Sequence, residues 1–404
     1  MLIVQKFGGS SVADPEKVRR VAGIIADAYS EGHQLVVVLS AQGDTTDELL
    51  EKAALYNPNP SKRELDMLLS TGEQISVALM AMTLEGMGLP VVSLCGWQIG
   101  MQTNSTHGAA RIKRINAERL QRELDRRRIV LVAGFQGINK YDDVTTLGRG
   151  GSDTTAVAIA AAIQADKCQI FTDVDGVYTA DPRKVQGARK LEQITFDEML
   201  ELATLGAQVL HNRSVEMAKR YSVNLEVLSS YVRKPGTIVK EVTKKVEQMR
   251  ITGVAKDTNV TRIAVVGLPD EPGKAYKVLA VLGKVKVNVD LILQSVGKEG
   301  TNDLSFTVNA GDAPIAVKAL EDAQEVIGFE KVSVDNEVAK ISIVGAGMLS
   351  TPGIAAMMFE ALAGAKINVK MITSSEIKLS VLIDKAYADL AVQKVHDRFF
   401  GEAL

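Results

Sequence analysis

The chain has 404 residues, of which 46% are hydrophobic and 24% charged, with a formal net charge of −2; this allows two or three domains with full cores and gives no general electrostatic reason to bind nucleic acid or an anionic membrane. Two cysteines, Cys95 and Cys168, cannot build a disulfide framework and suit a reducing cytoplasm. Four histidines without metal-ligand spacing predict no protein-built metal site, and no uninterrupted apolar run approaches the roughly 20 residues of a membrane span.

The start, Met1 to Lys6, predicts a first strand, Leu2 to Val4, in place of a secretory leader. It runs into Lys6-Phe7-Gly8-Gly9-Ser10-Ser11, and Asp14-Pro15-Glu16 then supplies an N-cap, a first-turn proline and a first-turn acid. Val18, Val21, Ile25 and Ala28 follow at helical spacing. Strand, Gly-Gly-Ser loop and helix make a phosphate cradle with a lysine at its mouth. It is not a Walker loop, because the lysine precedes the glycines; the stretch Gly267 to Lys274 also lacks that spacing.

Leu35 to Leu39 reads as an apolar, β-branched strand, and Ser40 to Thr46 as a polar loop before a helix from Asp47. Leu65 to Gly86 has helical periodicity and carries Thr71-Gly72-Glu73-Gln74. Glu73 there is either a solvated residue or, beside a substrate pocket, a partner for an amine. Arg126-Arg127-Arg128 suits a helix end, where cations complement the dipole. Ile129 to Ala133 is the next strand, ending in Gly134-Phe135-Gln136-Gly137.

Leu147-Gly148-Arg149-Gly150-Gly151-Ser152-Asp153-Thr154-Thr155 is the most informative stretch. Its three glycines let backbone amides approach an anion, and Ser152-Asp153-Thr154 reads as a helix start, so loop and helix together form an anion site. Arg149 offers a planar fork to a carboxylate or phosphate, although taken alone the stretch could be a glycine-rich loop with a solvated arginine. Strand Gln169 to Phe171 then enters Thr172-Asp173-Val174-Asp175-Gly176-Val177-Tyr178 and Asp181-Pro182-Arg183. Strands alternating with helices predict an α/β fold, a mostly parallel sheet sandwiched by helices, with ligands at the carboxyl ends of the strands. Lys6, Ser40, Gln136, Arg149 and Asp173 all fall in loops that follow predicted strands or just before the next helix.

Ser229 to Lys245 reads as a linker, and beyond it the chain repeats. Glu271-Pro272-Gly273 recurs as Thr351-Pro352-Gly353, and Val287-Asn288-Val289 as Ile367-Asn368-Val369. The first copy reads as Ile263 to Gly267, helix Lys274 to Leu282, Val289 to Gln294, Asp303 to Val308, helix Pro314 to Val326 and strand Val332 to Val334. The second, from Ile341, runs out after helix Tyr387 to Phe399 and lacks a last strand, which Arg250 to Lys256 can supply. Copy one (262–336) is then an insertion within copy two (249–261 plus 337–404), behind a domain over 1–245.

With these motifs in order, the chain resembles the aspartokinases, whose catalytic domain has the amino-acid kinase fold; the two repeats resemble α+β βαββαβ ACT domains. The resemblance covers essentially the whole length and implies transfer of the γ-phosphoryl of ATP, with Mg²⁺, to the β-carboxylate of L-aspartate. The product is 4-phospho-L-aspartate, the first step toward lysine, threonine and methionine. It implies catalytic Lys6, Arg149 and Asp153, with Lys6 offsetting charge on the transferred group and Asp153 organising it. Aspartate would be bound by Ser40, Thr45, Thr46, Glu73 and Arg149 with Gly150, Gly151 and Ser152. Nucleotide would be bound by Lys6, Phe7, Gly8, Gly9 and Ser10, and by Thr172, Asp173, Tyr178, Asp181 and Arg183.

Lysine and threonine are the implied feedback inhibitors. Their site would lie at Asp270, Gly273, Lys274 and Ala275, with Asn288, Val289, Asp290 and Gln294 opposite and Asn368 and Val369 in the second copy. Lys370 and Ser374 replace Asp290 and Gln294 there, so equal sites in both copies are not expected. A monofunctional enzyme is expected, since the chain stops where a fused homoserine dehydrogenase would begin, with a cytoplasmic location from the two isolated cysteines and a dimer or tetramer paired through open ACT sheet edges. Gln208 stands where many aspartokinases have a lysine near the nucleotide and cannot supply that charge. A glutamate or carbamate kinase is countered by the tandem repeats and Thr71-Gly72-Glu73. A catalytically silent amino-acid sensor is countered by intact Lys6, Arg149 and Asp153.

Overall fold

The computed structural model of the protein describes residues 1–205, 209–241, 251–298, 300–346, 348 and 351–401. Gln208 and the stretch around residue 245, where the sequence divides, lie outside the described residues. The chain forms two compact units. One takes residues 1–177, 190–204 and the described part of 208–244; the other takes the rest, including the segment 178–189.

The first unit opens with β1 (Leu2–Phe7), α1 (Pro15–Ser30), β2 (Gln34–Leu39), α2 (Thr45–Tyr56), α3 (Lys62–Gly86) and β3 (Val91–Leu94). It continues through β4 (Gln102–Thr103), β5 (Ile112–Arg114), α4 (Glu118–Asp125), β6 (Ile129–Ala133), β7 (Gln136–Ile138), β8 (Val144–Thr146) and α5 (Gly151–Ala162). β9 (Lys167–Thr172), β10 (Gln193–Thr195), α6 (Phe196–Thr204), α7 (Asn212–Arg220), β11 (Leu225–Ser229) and β12 (Thr237–Lys240) complete it. Its main sheet has the order β10-β12-β11-β9-β1-β2-β6-β3 and is parallel at every pairing except β11 with β12. β5, β4, β7 and β8 form a small separate sheet.

The central strands are continuous apolar runs because both their faces are covered. Val18, Val21, Ala22 and Ile25 of α1 and Val77, Met80 and Leu84 of α3 close over Ile3, Phe7, Leu35, Val37 and Leu39. Burying each of the larger side chains contributes about 1.5–3 kcal/mol. Asp14 caps α1 by accepting the Lys17 amide at 2.9 Å, with Pro15 in the first turn. α3 is long and apolar enough to cross a membrane by length and composition, but half of that window is buried and it holds buried Asp66, Ser70 and Glu73. α5 is buried from Gly151 to Ala160, and its alanines let it sit close against β1, β2 and β9.

In the second unit, β14 (Val260–Pro269), α8 (Lys274–Lys284), β15 (Ile292–Val296), β16 (Thr301–Asn309), α9 (Ala313–Ile327) and β17 (Lys331–Asp335) follow an initial β13 (Gly253–Asp257). β18 (Val338–Val344), α10 (Ile354–Gly364), β19 (Val369–Ser374), β20 (Lys378–Asp384) and α11 (Ala388–Phe400) come last. One sheet runs β15-β16-β14-β17 and the other β13-β18-β20-β19. β13 lies antiparallel to β18, with Gly253 opposite Val344 and Asp257 opposite Lys340. Gly273 and Gly353 occupy the same left-handed position before α8 and α10.

Several elements differ from the expected boundaries. Lys6 lies inside β1, opposite Val38 of β2 and Ile170 of β9, because ladder hydrogen bonds come from the backbone and one polar side chain does not end a strand. Gln136 is in β7, and Thr45 and Thr46 form the first turn of α2. Thr237–Lys240, placed in the linker, is a strand of the main sheet, its alternating pattern too short to stand out. β15 starts at Ile292, because 285–291 are spent turning back from α8; the Asp290 amide reaches the Thr307 carbonyl at 2.9 Å.

Candidate active site

A cavity of about 660 Å³ opens in the first unit beside the carboxyl ends of β1 and β2. From the β1 loop it receives Lys6, Gly8 and Gly9; from the β2 loop and α2, Ser40 and Thr46; and from α3, Glu73. The stretch entering α5 contributes Arg149, Gly150, Gly151, Ser152 and Asp153. Residues far apart in sequence meet because parallel strands all deliver their following loops to one sheet edge.

Lys6 Nζ lies 2.6 Å from Asp153 Oδ1, both side chains largely buried. Strand β1 and the first turn of α5 thus carry a fixed cation and its partner into the cavity. Gly9 keeps the adjoining backbone open: a Cβ there would meet the Ala41 carbonyl oxygen at 2.6 Å. A cation and a backbone stretch free of side chains thus meet on one wall of the cavity, an arrangement suited to anionic oxygens.

Glu73 is 3% exposed. Its Oε1 accepts the Ala41 amide at 3.2 Å, while Oε2 is buried without a protein partner. Burial pushes its carboxyl up to about 7, and the Ala41 amide pulls weakly the other way. A buried acid on the cavity wall with one oxygen lacking a protein donor awaits one, and an ammonium group meets that need.

Arg149 is exposed on the cavity wall, between Gly148 (φ 77°) and Gly150 (φ 67°). Gly150 caps α5 in left-handed backbone, and a Cβ on it would stand 2.2 Å from His211 Cγ. Backbone strain and lack of space both require glycine here. His211 itself, half-buried, is held below the usual imidazole range by burial, against the opposing pull of Asp153.

Other sequence candidates are placed elsewhere. Thr45 donates its hydroxyl to the Gln42 carbonyl at 2.6 Å. Phe7 is a core residue, its ring stacked on Phe171 with centroids 4.5 Å apart. The Ser10 carbonyl accepts the Tyr231 hydroxyl at 3.1 Å, and Gln136 donates to the Ser70 carbonyl at 2.8 Å. None of these four lines the cavity. Thr172 ends β9 and donates to Asp173 at 3.0 Å.

Tyr178, Asp181 and Arg183 belong to the segment that packs in the second unit. There Asp181 is gripped by Arg183 through two 3.0 Å bonds, which hold its carboxyl below the usual range. Ala180 and Val185 are buried in that unit's core with Ile341 and Ile343, and Thr179 Oγ1 lies 2.8 Å from His396 Nε2.

Of the residues proposed for effectors, Asp270, Gly273, Lys274 and Ala275 lie at the turn between β14 and α8, with Asp270 accepting from Asn302 at 2.7 Å. Lys274 donates to the Ile327 carbonyl at 2.6 Å. Asn288, Val289 and Asp290 lie in the connection to β15, and Gln294 on its exposed strand. The Asp290 carboxylate is already engaged by Lys340. Asn368 precedes β19, which Val369 begins.

Sequence reasoning missed Phe135 and Asp66. Phe135 has φ 68°, rare for a bulky side chain, and lines the cavity. Asp66 is 1% exposed, an acid inside an apolar helical stretch that offered a signal only in hindsight.

The amino acid kinase family matches residues 1–229, and the ACT domain family matches 263–324 and 341–399. An aspartokinase of Mycolicibacterium smegmatis is 50% identical over 98% of this chain and 96% of its own. The crystal structure of E. coli aspartokinase III with aspartate and ADP, in its R-state, is 28% identical with a TM-score of 0.85, covering 99% of this chain and 100% of that one. The same enzyme with lysine and aspartate, in its T-state, is 26% identical with a TM-score of 0.77, covering 99% of each chain.

Proposed function

Since the chain belongs to the aspartokinases of the amino acid kinase family, we propose that the cavity transfers the γ-phosphoryl of ATP to the β-carboxylate of L-aspartate, giving 4-phospho-L-aspartate. The protein is an ATP-dependent kinase acting on aspartate. The observation that carries the site assignment is the Lys6–Asp153 pair in one cavity with Gly8 and Gly9, Glu73 and the Arg149 loop.

The acceptor carboxylate is already ionised, so no general base is required; the difficulty is bringing two anions together. Lys6 offsets negative charge as it develops on the transferred group, and the amides about Gly8 and Gly9 receive phosphate oxygens. Asp153 holds the ammonium of Lys6 in place. Arg149 takes an aspartate carboxylate in its fork, and Glu73 takes the ammonium, which fixes the acceptor's orientation. Mg²⁺ belongs to this proposal. Among the described residues no group of three or more acidic, histidine or cysteine side chains could cage a metal, so the fit is to a cation carried chiefly by the nucleotide's phosphates, which it would neutralise, with Asp153 the nearby acid.

The remaining assignments are part of the same reading. Thr172, Asp173, Tyr178, Asp181 and Arg183 are kept as the proposed nucleotide segment, of which 178–183 pack in the second unit. Feedback by lysine, threonine or both would act at the β14–α8 turn, and the Asp290–Lys340 pair would have to open for Asp290 to meet an effector. The pairing of β13 with β18 supports ACT copy one as an insertion within copy two. Pairing into a dimer or tetramer fits the exposed edge strand β15. A cytoplasmic location fits Cys95 and Cys168, which are both free.

The test is ATP turnover with L-aspartate, trapping the acyl phosphate with hydroxylamine. Wild type forms hydroxamate, Lys6→Met forms little at any substrate level, and Arg149→Ala needs far more aspartate. Hydroxamate from Lys6→Met at near wild-type rate would remove the role given to Lys6. Inhibition by lysine or threonine in the same assay names the effector.

A further inference from the structure

A buried carboxylate, Asp66, and a half-buried guanidinium, Arg213, both outside the proposed contacts, grip the stretch that leads into Arg149. Asp66, on α3, accepts the Thr146 hydroxyl at 2.5 Å and the Gly108 amide at 3.0 Å, and its second oxygen lies 2.8 Å from His107 Nδ1. Arg213, on α7, donates to the Leu147 carbonyl and to the Ala110 carbonyl, both at 2.8 Å. Residues 110 and 146 are joined directly, the Ala110 amide donating to the Thr146 carbonyl at 2.8 Å. Two neighbouring stretches, 108–110 and 146–147, are therefore held together by a carboxylate and by a guanidinium.

The chain leaves this clamp at Leu147 and enters Gly148-Arg149-Gly150, whose glycines give it no stiffness of its own. Where Arg149 points is then set by what fixes Leu147 and by His211, which abuts Gly150 two residues before Arg213. Asp66 and Gly108 also line the cavity. We propose that Asp66 and Arg213 are positioning residues for aspartate recognition, acting through Arg149 by fixing the 108–110/146–147 segment. Neither touches the reacting atoms in this scheme. The inference rests on the reading of Arg149 as the aspartate-carboxylate ligand.

A misplaced binding group commonly costs about 10–100-fold. Arg213→Met keeps the stem's bulk and removes both donations, so the aspartate KM should rise in that range while the ATP KM changes less than about 2-fold. Asp66→Ala should do the same. Asp66→Asn should stay near wild type, because one oxygen still accepts from Thr146 and Gly108, and His107 can switch tautomer to accept from the new amide.

Arg149→Ala is the reference, and Arg149→Ala/Arg213→Met closes the cycle. If Arg213 acts through Arg149, the double variant is no worse than Arg149→Ala alone. Multiplying effects would overturn the inference, as would an unchanged aspartate KM in Arg213→Met or equal rises for aspartate and ATP. An unchanged aspartate KM in Arg149→Ala would instead refute the reading of Arg149 itself. Should Asp66→Ala fail to fold, the Arg213→Met cycle decides alone.

Discussion

Replacing Glu73 by glutamine isolates the charge that the cavity holds ready for its acceptor. In the ligand-free protein burial pushes this carboxyl from an ordinary value of 4.5 up to about 7. At about 1.4 kcal/mol per pH unit, ionising it in place costs about 3 kcal/mol of stability. The sign follows from linkage. Below pH 4.5 the group is protonated folded or unfolded and costs nothing; between 4.5 and 7 the unfolded chain ionises while the folded one keeps its proton, and the cost grows; above 7 it is constant.

Glutamine is neutral throughout, keeps an oxygen for the Ala41 amide, and escapes the cost. Without ligand, Glu73→Gln should therefore match wild type near pH 4.5 and exceed it by about 3 kcal/mol at pH 8, read by urea unfolding at both pH values. The same substitution should weaken aspartate binding, since the ammonium loses its charged partner. In wild type the aspartate KM should rise as pH falls below about 7, and in Glu73→Gln that dependence should vanish. Stability curves that run parallel from pH 4.5 to 8 would refute the buried, high-pKa carboxyl; a stabilised variant with unaltered aspartate KM would refute its role as the ammonium partner.

Lys6→Met should lower kcat by about 10²–10³-fold, the usual cost of one preorganised charge on the transition state, with intact binding of the ACT effector by calorimetry. Gly150→Ala forces a Cβ into His211 and strains left-handed backbone, so it should cost about 1–3 kcal/mol and raise the aspartate KM; a paired His211→Ala, which makes room for the methyl, should recover part of the loss. Lys340, its side chain 4% exposed, is paired with Asp290 and lies 3.6 Å from Asp257. Lys340→Ala removes the cation from both carboxylates, which are partly exposed, and should destabilise the ACT region by about 1–3 kcal/mol, seen as an earlier denaturant transition or faster proteolysis there.

Much of this protein is legible in the sequence alone. Local rules suffice for the central strands, whose unbroken apolar runs follow from burial on both faces, and for the start of α1, where Asp14 and Pro15 satisfy and shape a helix end. The glycines of the two loops proposed to receive anions are legible as residue types: Gly148 and Gly150 take left-handed backbone, and Gly9 leaves room for the Ala41 carbonyl. Strand counting in the repeats predicted a strand ahead of copy one to serve copy two, and β13 beside β18 is the corresponding pairing in the fold.

What sequence cannot hold is which distant groups share a dielectric and a hydrogen bond. Glu73 has the same letter whether solvated or buried, and only the closure of α3 over the sheet edge raises its carboxyl to about 7. The Lys6–Asp153 contact joins residues 147 positions apart through the adjacency of β1 and α5. Asp66 and Arg213 carry no motif at all; they come together only because α3 and α7 both reach the stretches 108–110 and 146–147, and electrostatic and packing energies depend on distance in space and not along the chain.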